Sequence, residues 1–137
     1  MWKASWIGPR HRQSRRTQQR GQATVELALS MGLPLLLLLA ALDFGRAFFS
    51  YIALVNAARE GARAGVMTVS AASIEPAVRQ EVQGNNLDPA RLTVQYSWGG
   101  SGQPLVVTVG YRFNLVTTGF LPVSQINMST SATMALP

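Results

Sequence analysis

The sequence predicts an α+β fold: a long N-terminal helix that crosses a membrane and extends outward, a short second helix, and a three-stranded antiparallel β-meander. Three observations carry this. Residues 22–42 form an apolar run broken by one charge, Glu26. The helical pattern persists from there to Gly65, with no proline after Pro34. Beyond residue 91, apolar and polar residues alternate in three successive segments. A membrane stalk with a small α/β head, a lollipop, is the shape these elements imply.

Residues 1–21 are a basic cytoplasmic leader, with Lys3, Arg10, Arg12, Arg15, Arg16 and Arg20 ahead of Gly21. Gln22 to Leu42 would span ~31 Å as a helix, which matches a hydrocarbon core of roughly 30 Å. Basic residues crowd the N-terminal flank of the run, whereas Asp43 opens the other flank. The positive-inside rule then places the N-terminus in the cytoplasm and everything after Asp43 outside. Pro34 removes one helix hydrogen bond, which membrane helices tolerate. A charge within such a run costs roughly 2.5–3.5 kcal/mol at mid-bilayer, which singles out Glu26. It either has a task there or lies at interface depth beside Arg20.

Residues 43–65 extend the helix outward. Phe44, Phe48, Tyr51, Ile52 and Val55 form an apolar stripe at three-to-four spacing. Ala53, Ala57, Gly61 and Gly65 form a strip of small residues where another backbone can approach closely. That strip seats the chain's own sheet, or it forms a helix–helix seam in an oligomer. Asp43 with Arg46 and Glu60 with Arg63 are spaced to pair as solvated links, each worth roughly 0.2–0.5 kcal/mol.

Residues 66–137 make an extracytoplasmic head. Ser73 is placed to cap a short helix with Glu75 and Pro76 in its first turn. Ile74, Val78 and Val82 give that helix an apolar face, and Gly84 is its stop. Asn85 to Pro89 reads as a turn. Leu92, Val94, Tyr96 and Trp98 then alternate with polar residues, and Gly99, Gly100, Ser101 and Gly102 make a hairpin loop. Leu105, Val107, Val109, Tyr111 and Phe113 follow with the same period. After a loop holding Gly119 and Pro122, the third alternation runs from Ile126 to Met134. Three half-buried strands in succession argue a meander packed on one face against the short helix and the outer half of the long one.

Composition narrows the chemistry. The formal charge of +6 resides in the leader, because the residues after Gly21 balance at six basic and six acidic. A basic face on a folded domain, which a nucleic-acid partner requires, is missing. There is no cysteine, and the one histidine, His11, lies in the leader. Without the leader the chain has neither the commonest general base nor a soft metal ligand, so no enzyme, no metal site and no cofactor are expected. The glycines at 99, 100 and 102 lead into a strand and not a helix, which fails the dinucleotide fingerprint. A rival to an assembly role is a single-pass membrane-anchored binding module, with Trp98 as its stacking surface.

Gly21 at the leader's end, with Glu26 five positions beyond it, resembles the processing site of type IV pilins and pseudopilins. Three further stretches narrow the resemblance: Leu42-Asp-Phe-Gly-Arg-Ala, Asn56-Ala-Ala-Arg-Glu-Gly-Ala-Arg-Ala-Gly and Ser131-Ala-Thr-Met. Together they resemble a TadE-like protein, a pseudopilin of the bacterial tight-adherence (Flp, type IVc) pilus system. The resemblance implies a pilin-like fold and cleavage by a prepilin peptidase between Gly21 and Gln22. It also implies a role for Glu26 as the assembly carboxylate, with Leu27 where an aromatic often follows. The implied partners are that peptidase, other pilins and pseudopilins, the inner-membrane pilus platform and the lipid bilayer. The implied setting is the bacterial inner membrane, possible incorporation into a pilus included, and the implied function is pilus assembly, surface adherence and biofilm formation.

Overall fold

The computed structural model describes residues 15–98, 103–119 and 122–135, with side chains from Gly21 onward. The leader up to residue 14, His11 included, and the loop Gly99–Gly102 lie outside the described residues. The fold is α+β. A long helix α1 (Arg15–Thr68) leads to α2 (Ile74–Gly84), and strands β1 (Leu92–Trp98), β2 (Leu105–Asn114) and β3 (Gln125–Met134) follow. The chain falls into two compact units, one up to Leu37 and one from Leu38 on.

In the first unit the described chain is the opening part of α1. Its side chains from Gly21 to Leu37 are exposed, apart from a half-buried Leu36. The helix is already formed at Arg15, the first described residue, ahead of Gln22, and Arg15 to Arg20 are dominated by Arg and Gln, both good helix formers. Pro34 lies within the continuous helix.

In the second unit the three strands pair antiparallel in the order β1-β2-β3. Leu92 to Trp98 face Tyr111 to Leu105 in register, and Leu105 to Asn114 face Met134 to Gln125. Period-two alternation puts Leu105, Val107, Val109, Tyr111 and Phe113 on the buried face of the central strand. Ile74, Val78 and Val82 of α2 and Leu54, Ala57, Ala58 and Ala62 of α1 complete this core. Full burial of a Leu, Ile or Val side chain contributes about 1.5–3 kcal/mol. Trp98 is half-buried against the same core, which makes it a packing residue.

The strip Ala53, Ala57, Gly61 and Gly65 is the seat of the chain's own head. Ala53 and Ala57 are buried, and a Cβ on Gly65 would sit 2.7 Å from Leu105 Cδ2. The strip is therefore unavailable as an intersubunit seam. The apolar stripe on the helix flank is exposed instead: Phe44, Phe48, Tyr51 and Ile52 all face outward.

Two helix ends differ from expectation. α1 passes Gly65 and ends at Thr68, with Val69 at φ 50°. Ser70 N–H donates to Gly65 O and Val69 N–H to Val66 O, the paired bonds of a Schellman cap. A β-branched residue in this left-handed conformation costs roughly 1–2 kcal/mol, which glycine avoids. Val69→Gly is therefore expected to raise the stability of the head by about 1 kcal/mol, read as a higher thermal midpoint in detergent. An unchanged or lower midpoint would contradict this reading of the cap. α2 closes in the same way two residues beyond Gly84, with Asn86 at φ 58° and Leu87 N–H donating to Val82 O. At its start Ser73 makes no side-chain cap: its backbone is already helical, and its hydroxyl lies within hydrogen-bonding distance of the carbonyls of Ala64 and Ser70. The side chain of Ser70 accepts from Ala72 N–H and caps the 3₁₀ turn Ala71–Ser73 that precedes α2.

Candidate functional site

Gly21, Gln22, Val25, Glu26, Leu29 and Ser30 share one open face of α1. The helical repeat places Gln22 and Glu26 four apart and so one above the other. Ser30 Oγ donates to the backbone carbonyl of Glu26 at 2.7 Å, which satisfies that hydroxyl and leaves the carboxylate untouched. The Glu26 side chain has no ion-pair partner among the described residues. A Cβ built on Gly21 meets nothing within 4 Å. The three expected processing and assembly residues thus lie together on an exposed surface. α1 carries them as the one helix among the described residues long and apolar enough to cross a membrane. Its most apolar window has a mean hydropathy of 2.2 and none of it is buried.

A second cluster was not legible in the charge pattern. Asp43, expected as half of a solvated pair, is only 3% exposed. One carboxylate oxygen accepts from Val116 N–H at 2.9 Å and from Arg46 Nη1 at 3.0 Å. The other accepts from the N–H and the hydroxyl of Thr117, both at 2.9 Å. Burial alone would raise the Asp43 carboxyl, but the Val116 and Thr117 hydrogen bonds and the Arg46 charge outweigh it and hold the pKa below its usual value. Arg46 is also stacked 5.1 Å from the centre of the Phe113 ring. Asp43 therefore fastens the 3₁₀ turn Val116–Gly119 to the helix at the residue where the apolar run ends. The partners lie more than seventy positions away, a separation that no local spacing rule reaches. Glu60 and Arg63 do remain an exposed pair, at 3.8 Å.

Beside this cluster, Arg46, Ser50, Asp88, Arg91, Tyr111 and Phe113 line a half-open cleft of about 350 Å³. Its two arginines are matched by Asp43 and Asp88, with Arg91 Nε 3.4 Å from Asp88 Oδ2. The cleft has no surplus charge to attract an ionic ligand.

Residues 21–63 match the family described as TadE-like protein. No curated protein and no solved structure matches the chain. The matched stretch begins at Gly21 and takes in Gln22, Glu26 and Asp43. Over residues 21–63, the part of α1 that carries the candidate site, the chain is similar to TadE-like proteins.

Proposed function

We propose that the chain is a non-catalytic pseudopilin or minor pilin that supports assembly of a tight-adherence (Flp, type IVc) pilus, and with it surface adherence and biofilm formation. One observation carries the reading: the TadE-like match opens at Gly21, where a basic leader gives way to an exposed apolar helix with one carboxylate near its start. In this reading α1 crosses the bacterial inner membrane once, with its N-terminus in the cytoplasm and the head outside. A prepilin peptidase cuts after Gly21, and the freed α-amino group of Gln22 on one subunit pairs with Glu26 of its neighbour. Such pairing relieves the cost of a lone carboxylate in the bilayer. The other partners are further pilins or pseudopilins and the inner-membrane pilus platform.

The Gly21–Gln22 bond lies inside α1, so the first turns must unwind before a protease can act on it. Gly21 makes this easier by about 1 kcal/mol relative to alanine. Mass spectrometry of protein extracted from membranes is expected to find Gln22 as the N-terminus. Gly21→Val should leave the precursor uncut. Open space surrounds Gly21, so that variant alters peptidase recognition and not the fold. An uncut wild-type chain in a host with an active prepilin peptidase would sink the processing claim.

A further inference from the structure

Gly110 sits inside the central strand without a reason internal to the fold. Both ladders run through it in unbroken register, with Thr93 opposite on one side and Ser129 on the other, so it marks no bulge. Its φ lies outside the left-handed region. A Cβ built on it would meet Thr93 Cβ at 3.7 Å, Thr93 O at 3.8 Å and Met128 O at 3.9 Å, all ordinary van der Waals contacts. The sheet would therefore accept alanine, and glycine in a strand interior is the less stable choice. What remains for a glycine here is to let something outside the chain come close to the backbone.

The open floor is ringed by polar groups. Val109, Tyr111 and Phe113 point to the core, so Gly110 and Arg112 lie on the opposite face of β2, about 7 Å apart along it. Arg112 faces Asn127 across the ladder. Together Thr93, Gly110, Arg112, Asn127 and Ser129 line a depression of about 290 Å³. Tyr111 and Met128, the neighbours that share its lining, pack their side chains on the core. Arg112 is the one charged residue in the three strands, and it has no ion-pair partner among the described residues. The side chains of Thr93, Asn127 and Ser129 are exposed and make no hydrogen bond among the described residues.

We propose that this depression binds a sugar acid, a hexuronate ring laid over Gly110. The Arg112 guanidinium takes the carboxylate, whose two oxygens match its planar fork. The hydroxyls of Thr93 and Ser129 and the carboxamide of Asn127 both donate and accept, as the ring hydroxyls of a sugar do. An acidic side chain of a protein would engage Arg112 alone and leave these three unused. An apolar ligand would find no apolar side chain to rest on. The site lies wholly within the head and stands independently of the pilus reading.

The test is a nuclear magnetic resonance titration of the detergent-solubilised full chain with galacturonate, glucose and acetate. Galacturonate is expected to shift the amides of Gly110, Arg112 and Ser129 and to bind about tenfold or more tightly than either control. Arg112→Gln and Gly110→Thr should each weaken that binding by about the same factor. Gly110→Ala should melt at a higher temperature than wild type, because the fold itself gains nothing from the glycine. An oligogalacturonate at equal uronate concentration separates a sugar acid borne on a chain, which would bind more tightly, from a free one, which would not. No shift at these amides would overturn the site. Acetate binding as tightly as galacturonate would assign Arg112 to an acidic side chain of a protein partner and overturn the sugar acid. Undiminished binding by Gly110→Thr, or a lower melting temperature for Gly110→Ala, would overturn the role given to the glycine.

Discussion

Asp43→Ala is expected to destabilise the head by about 3–5 kcal/mol, the usual cost of removing one partner from a buried charged cluster. The substitution leaves the N–H and hydroxyl of Thr117, a residue only 2% exposed, without an acceptor. Each orphaned buried donor costs roughly 1–3 kcal/mol. A small head has only about 5–15 kcal/mol of stability to lose, so the effect should be plain in denaturant melts of the detergent-solubilised chain. The sign of the acid dependence follows from the same carboxylate. Its pKa is lowered in the folded chain, so the stabilisation is complete above the unfolded value of 3.8 and is lost as pH falls through the lower folded value. Asp43→Asn should flatten that acid limb. A wild-type limb that persists unchanged in Asp43→Asn would locate the acid sensitivity elsewhere.

Gly61→Ala is expected to destabilise the head by roughly 1–3 kcal/mol, against the helix propensity that favours alanine by about 1 kcal/mol. Packing decides the sign. A methyl at position 61 would collide with Val78 Cγ2, with Ile74 and Val107 already in van der Waals contact on either side of it. All three neighbours are fully buried, and Val78 is β-branched and stiff at χ1, so none can move aside cheaply. Gly45→Ala is the internal control. It lies on the same helix with nothing within 4 Å of a built Cβ, and there alanine should stabilise by up to about 1 kcal/mol. Opposite signs at 45 and 61 are the expected outcome of thermal melts. Stabilisation at both sites would mean that the strip does not seat the sheet.

These residues also show where sequence reading succeeds and where it stops. Strand alternation is a strictly local signal, and it placed the apolar residues of β2 on the core face, all buried. Ile74, Val78 and Val82 were equally readable, because spacing by four on an eleven-residue helix leaves one face to bury. The small-residue strip was visible as a strip, but its partner was not. Spacing shows that a backbone can come close, and only the fold shows that Leu105 and Val78 do so. Asp43 was misread for the same reason: Arg46 three residues on is a local partner, whereas Val116 and Thr117 become neighbours only once β2 lies along α1. The helix ends misled because glycine is the usual cap, and here Val69 and Asn86 take the left-handed conformation beyond Gly65 and Gly84. At the candidate site, charge and hydropathy single out Glu26 alone; Gly21 and Gln22 enter through the resemblance to pilin processing sites, and helix spacing is enough to put the three on one face.

The assembly role is tested most directly in the source bacterium, with the gene deleted and restored in two forms. Wild-type protein is expected to return pili and pilus-dependent adherence. Glu26→Ala should reach the membrane in equal amount, since it makes the run more apolar, and should be processed after Gly21 yet restore neither pili nor adherence. A deletion strain that builds pili and adheres as well as its parent would contradict the proposed function outright. Full rescue by Glu26→Ala would keep the pilus role and remove the carboxylate from it.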